Sequence, residues 1–205
     1  MEYRRIAPIM GNLWSPIAAV TSRWQERSNV QIAVAISAAS IVPEKPRVIL
    51  QIYKTNHSHG MIYNSGAFAL NFLRLDQLDL IKSFGFVSGR DQEKLKDVSF
   101  RLGEAGNPLL LECWGYLDCR VVNAMDGGDM TCFLADVVDG DILGDASGDT
   151  GVREPPLWWR EARRRLPAEW MEEWDRKIAG EIEVSKSLMN EIGPTPLLAP
   201  WMKNG

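Results

Sequence analysis

Between Asn29 and Asn71 the chain places Ala33, Ala35, Ser37, Ala38, Ala39 and Ser40 where a core strand would carry bulky side chains. Strands that pack only against protein fill their inward positions with large apolar groups. Small groups there let a flat molecule lie against the backbone. Residues 30–41 alternate in part and carry no helix cap, so they read as one strand. Pro43 and Pro46 remove backbone donors, restrict the residues before them and force a turn. Residues 47–53, RVILQIY, are β-branched and apolar and form the next strand. A polar loop, KTNHSH, leads to a short helix over 58–65 that Gly66 stops. Residues 68–73 return as a strand.

The same pattern continues on both sides. Residues 17–21, IAAVT, read as a first strand followed by a polar turn. Asp76 is placed to cap a helix through about 84, with Leu78, Ile81 and Phe84 on one face. Residues 85–108 are polar and without period, a long surface excursion of a kind that often carries function. Two long strands are expected over 109–122 and 131–138, around the turn Asp126–Gly127–Gly128–Asp129. Short strands with few helices between them predict a mainly β architecture, an antiparallel barrel with peripheral helices. Residues 143–156 read as a linker rich in Gly, Pro and acidic groups. Residues 157–205 read as a helical C-terminal extension outside the barrel, with a Pro-rich tail. Trp158, Trp159, Trp170 and Trp174, half of the eight tryptophans, fall there, and Trp170, Trp174 and Lys177 share a helix face by spacing.

Composition narrows the classes. A chain of 205 residues, 45% hydrophobic and 24% charged, has enough apolar material for a normal core. A net charge of −4 without a long basic run argues against nucleic acid as a partner. The cluster Arg160, Arg163, Arg164 and Arg165 lies among acidic residues and reads as a solvated helix surface. Cys113, Cys119 and Cys132 are odd in number and form no CxxC pair, which argues against a disulfide framework and for a reducing compartment. Gly11, Asn12 and Pro16 break the early apolar run, and no stretch approaches bilayer length. The expectation is a cytoplasmic protein with no membrane contact.

The order of these pieces resembles the flavin reductase-like family, with the FMN-binding split-barrel fold. The carrying residues are Val20–Thr21–Ser22 ending the first strand, Asn29 opening the small-residue strand, and Ser37 and Ser40 ahead of the prolines. RVILQIY, SGAFALNFL from Ser65, PLLLECWGYLDCRV from Pro108, and Gly127–Gly128–Asp129 before the last strand complete the set. The resemblance spans about residues 8–142. It implies a six-stranded antiparallel split β-barrel over 1–142 that homodimerises, binds FMN (FAD is the alternative) and passes hydride from NADH or NADPH to a flavin or another acceptor. A monooxygenase or other redox partner would receive the electrons. The C-terminal helices fall outside the resemblance, and the expectation for them is that they wrap the partner subunit.

Site residues follow from that match. Asn29, Ala35, Ser37, Ala38 and Ser40 fall on the segment implied to run along the isoalloxazine towards the phosphate. Lys54, Thr55 and Ser58 offer donors to a phosphate at the end of the next strand. Each has a plainer reading, the serines as turn residues and Ser58 as a helix cap. Asn71 reads better as a structural hydrogen-bonding group than as a ligand. Arg90, in SGRDQEK, can reach a nucleotide phosphate or serve as a solvated loop charge, and Trp158 or Trp159 can cover a flavin face. His57 and His59 have no third ligand in sight, so no metal site is expected. No catalytic acid or base stands out. Many nucleotide-using relatives carry Gly-Asp-His before the last strand, whereas here Gly128–Asp129–Met130 stands. That departure keeps open an FMN carrier resembling flavoredoxin. A barrel without flavin, docking partners through its Trp-rich helices, is the third alternative.

Overall fold

The computed structural model describes residues 3–10, 12–13, 16–143 and 154–189. Most of the expected linker and the Pro-rich tail lie outside these. The described helices are α1 (Ala7–Met10), α2 (His57–Ser65), α3 (Leu78–Gly85), α4 (Trp159–Arg165) and α5 (Ala168–Leu188). The strands are β1 (Ala18–Trp24), β2 (Arg27–Ala33), β3 (Ile36–Ala38), β4 (Arg47–Tyr53), β5 (Ala67–Phe72), β6 (Phe100–Leu102), β7 (Pro108–Leu110), β8 (Gly115–Asp126) and β9 (Met130–Ile142).

The main sheet has seven strands rather than six, in the order β2-β1-β5-β8-β9-β4-β3, with β6 and β7 as a separate ribbon. The difference lies in residues 30–41. They form two strands, because the chain changes partner at Val34–Ala35. β2 pairs with β1 as far as Ala33↔Ala18, and β3 then pairs with β4 from Ile36↔Leu50. The Ala35 carbonyl already accepts the Gln51 N–H at 3.0 Å. β2 and β3 are the two edges of the sheet. Seven strands at about 4.8 Å spacing would hold them roughly 30 Å apart in a flat sheet, whereas two residues of chain reach only about 7 Å. The sheet must therefore curl into a half-barrel that is split between β2 and β3.

Burial follows from this curl. Ala18, Val20, Leu50, Ile52, Phe68, Leu70 and Phe133 fill the inside, with Ile62 of α2 against them. Ile17, just before β1, and Ala19 within it face outward into a second cluster with Leu73, Ile81, Phe84, Leu157, Trp159, Ala162 and Leu166. Covered on both faces, the start of β1 has no polar side, which explains the apolar run from Ile17 to Val20; Thr21 and Ser22 after it are fully buried. Leu157 is joined by its main chain to the residues flanking the interior strands β1 and β5. Its carbonyl accepts the Ile17 N–H at 2.8 Å and its N–H donates to Leu73 at 2.8 Å. The C-terminal helices thus pack on the outer face of their own barrel.

Local signals hold in several places. Gly66 ends α2 with φ 68°. The turn between β8 and β9 needs Gly128 at φ +92°, and the Asp126 carboxylate accepts the Gly128 N–H at 2.8 Å. Asp76 does not cap α3. Gln77 occupies the N-cap, its side chain accepts the Arg74 N–H at 2.9 Å, and Asp76 pairs with the Arg74 side chain in solvent. Residues 108–110 leave the expected long strand to pair with β6. Among the described residues no helix is long and apolar enough to cross a membrane.

Candidate functional site

The split opens into a cleft of about 510 Å³, within the range of small-molecule sites. One wall is the partner-switching segment itself, with Gln31, Ala33, Val34 and Ala35, continued by Gln51 and Tyr53 of β4. A second is the loop after α3, through Ser88, Gly89, Arg90 and Lys94. The N-terminal end of α2 adds Thr55, Asn56 and His57. Helices α4 and α5 close the remaining side with Trp159, Trp174, Lys177 and Glu181.

The loop seats closely. A Cβ on Gly89 would stand 1.9 Å from the Asn29 side-chain oxygen, so only glycine lets Ser88–Arg90 approach β2 there. The Asn29 amide donates to Ser58 Oγ at 2.7 Å. Arg90 donates to the Thr55 carbonyl at 3.1 Å, and Thr55 Oγ1 donates to the Glu181 carboxylate at 2.8 Å. Lys94 Nζ donates to the carbonyls of Phe84 (2.8 Å) and Val87 (3.2 Å). Lys177 Nζ, from α5, donates to the carbonyl of Gly85.

Positive charge therefore gathers on this side of the cleft. Burial, then Arg90, Arg27 and Lys94, holds the His57 pKa below its usual value. Burial, then Lys177, brings the Lys94 ammonium down to about 8. Lys177 is lowered by burial, against an upward pull from Glu181. Such a wall favours a bound anion. The thiols of Cys113, Cys119 and Cys132 are all pushed up by burial, so none is activated as a nucleophile.

The residues singled out in the sequence separate into groups. Asn29, Ala35 and Thr55 line the cleft. Ser58 is fully buried behind it, holding Asn29. Ser37 and Ala38 are exposed on β3, outside the lining, and Ser40 Oγ accepts the Val42 N–H at 3.1 Å in the following turn. Lys54 is turned to the other side of β4's end, its ammonium 2.6 Å from the Asp126 carboxylate. Arg90 and Trp159 line the cleft, whereas Trp158 stands in solvent at the start of α4. Asn71 is a cross-brace. It donates to the Ala19 carbonyl (3.0 Å) and to Thr21 Oγ1 (3.1 Å), and accepts the Leu110 N–H at 2.8 Å.

The two histidines diverge. His57 faces the cleft, while His59 lies in the barrel, stacked on Tyr63 and 2.8 Å from Thr131 Oγ1. Burial, then Lys54, takes its pKa down to about 4, against Asp126. Met130, at the position where many relatives have histidine, does line the cleft. Gln31, Lys94, Trp174, Lys177 and Glu181 were not singled out for the site. Lys94 sits in the SGRDQEK loop already noted, and the shared face of Trp174 and Lys177 was visible in their spacing. No local signal says which surface that face meets.

A split antiparallel barrel with a ligand-sized cleft at its split is the class that fold and site define. The chain belongs to the flavin reductase like domain family, whose model matches residues 10–167. It is 32% identical over 129 residues to a ferric-chelate reductase (NAD(P)H) of Archaeoglobus fulgidus, covering 62% of this chain and 75% of that protein. It is 31% identical over 139 residues to the reductase component of a 4-nitrophenol 4-monooxygenase/4-nitrocatechol 2-monooxygenase of Rhodococcus opacus, covering 67% and 70%. Among solved structures, the flavin reductase PheA2 superposes with a TM-score of 0.59 at 26% identity, covering 69% of this chain and 88% of that one. The match spans about half, 54%, of a high molecular weight rubredoxin of Moorella thermoacetica.

Proposed function

We propose that the chain is an FMN-dependent oxidoreductase that takes hydride from NADH or NADPH and hands electrons to a free flavin or another acceptor. The observation that carries this is the cleft at the split, backed by Ala33 and Ala35 on one wall and ringed by Arg90, Lys94 and Lys177 on another. Both features suit a flavin nucleotide. Small side chains leave the planar ring system room against the backbone. The cations and the N-terminal end of α2, whose N-cap Asn56 makes no side-chain cap, suit its phosphate.

When bound, the flavin supplies the hydride and electron chemistry. The chain's own residues hold and shield it. Asn29 and Gln31 present amides to the polar edge, with Asn29 fixed by Ser58. Arg90 and Lys94 draw the phosphate. Trp159 and Trp174, with ring centroids 5.3 Å apart, exclude water from the helical side. FAD would need the same donors and more room. A homodimer completes the reading, with a monooxygenase component as recipient of the electrons, the latter supported by the naming of the Rhodococcus relative as the reductase component of a monooxygenase.

A second reading is a flavoredoxin-like FMN carrier, and Met130 favours it. A thioether at that wall has no proton to donate to a nicotinamide nucleotide. One experiment separates the two. The protein loaded with FMN is treated without oxygen with NADH, then NADPH, and its visible absorbance followed. Bleaching within seconds supports the reductase and identifies the donor. Bands that bleach only with dithionite support the carrier. A protein that retains no flavin ends both readings.

A further inference from the structure

Helix α5 begins at Ala168, one residue beyond the family match. It spans 21 residues, of which Ser185 alone is buried among the described residues, whereas Trp159 and Ala162 of the short α4 are both buried. Trp170, Met171 and Trp174 near its start are half-buried against the cluster on the outer face of β1, and no apolar side chain of α5 is fully buried. What α5 does touch is both rims of the cleft. Trp174 packs on Phe86 and Trp159, Lys177 donates to Gly85, Glu181 accepts from Thr55, and Met189 lies over the β8–β9 turn at Gly128.

Lys177 and Lys94 come from elements far apart in the chain. Their ammonium groups nevertheless converge on the carbonyls of Phe84, Gly85 and Val87, at the negative end of α3. Two like charges brought together in a partly desolvated wall repel each other. Glu181 offsets this at Lys177. At Lys94, burial and Lys177 both oppose the charge, against the carbonyls of Phe84 and Val87 that accept its hydrogen bonds. A doubly charged anion between the two lysines would reverse both effects.

We propose, on the basis of the flavin reading, that Lys177 joins Lys94 in a phosphate subsite of the cleft, so that α5 acts as a strap closing on the bound nucleotide. A carboxylate-bearing ligand with one charge would satisfy only half of the pair. The strap ties phosphate recognition to closure: α5 docks firmly when the phosphate is present and loosens when it is absent.

The test compares the wild type with Lys177→Gln, which keeps a donor for Gly85, and Lys177→Arg, which keeps the charge. Each is titrated with FMN and with riboflavin, which lacks the phosphate, and amide hydrogen exchange in α5 is followed. Removing one charge-assisted contact should weaken FMN binding by about tenfold, leave riboflavin unchanged, and be restored by Lys177→Arg. FMN, and not riboflavin, should slow exchange in α5. An unchanged FMN affinity with weaker binding of 2′,5′-ADP would give the same subsite to the phosphate of the nicotinamide donor. If all of these are unchanged in Lys177→Gln, the subsite is overturned while the flavin reading stands. If neither flavin binds, the flavin reading fails. Protection of α5 by inorganic pyrophosphate then decides the subsite: protection lost in Lys177→Gln supports it, and none in the wild type overturns it.

Discussion

Lys54 and Lys94 lie at opposite ends of the same question, which is where positive charge is available to a ligand. Lys54 is next to Thr55 in sequence, yet its ammonium is 2.6 Å from Asp126, a carboxylate only 7% exposed. Lys94 donates to carbonyl oxygens at the cleft, those of Phe84 and Val87. Removing the ammonium takes the counter-charge from a nearly buried carboxylate and costs about 3 kcal/mol. Asp126 also holds the Gly128 N–H, so the loss would reach the β8–β9 turn. Lys54→Met is expected to lower stability in urea by roughly that amount while leaving FMN affinity within about twofold. The reverse pattern, unchanged unfolding with much weaker FMN binding, would return Lys54 to the phosphate site. Sequence position alone does not separate these two lysines. The direction of the Lys54 side chain is set by a carboxylate more than seventy residues away, and nothing local marks it.

At the scale of elements, the legible parts are those whose ends carry their own signal. β4 matches its expected span, α2 stops at Gly66, and the β8–β9 turn falls on Asp126–Asp129. The break between β2 and β3 carries no such mark, because alternation continues through it and no glycine or proline interrupts it. It arises because β1 releases the chain and β4 captures it, a choice made by distant pairing. The consequence is functional. The resemblance carries the implied site on to Ser37 and Ala38, which lie exposed on β3, whereas the cleft is lined at Ala33, Val34 and Ala35. Ala35 is half-buried, so a larger side chain there would project into free volume rather than overpack the core. Ala35→Leu should leave the melting temperature within a few degrees and weaken flavin binding by at least about tenfold through loss of room. Full-strength flavin binding in that variant, measured by fluorescence quenching, would place the flavin elsewhere.

For the whole molecule, the C-terminal helices divide by role. Leu157 is tied by its main chain to Ile17 and Leu73, and Leu157, Trp159, Ala162 and Leu166 belong to the cluster on the outer face of β1. Burying the three large side chains contributes roughly 5–8 kcal/mol, comparable with the whole stability of a domain this size. α5 lies over the cleft, with Trp170, Met171 and Trp174 half-buried against that same cluster and no apolar side chain of its own fully buried. A chain ending at Pro156 should therefore fail to melt cooperatively or should precipitate. A chain ending at Pro167 should fold, lose only a few degrees of melting temperature, and release FMN faster. Similar melting of the two truncations would mean that α4 contributes no more to the fold than α5 does. Cooperative folding lost already at Pro167 would make α5 part of the core rather than part of the site. The expected outcome draws the boundary of the folded unit between α4 and α5, at the extended pair Leu166–Pro167. The barrel with α4 then carries stability, and α5 carries the exchange of whatever the cleft holds.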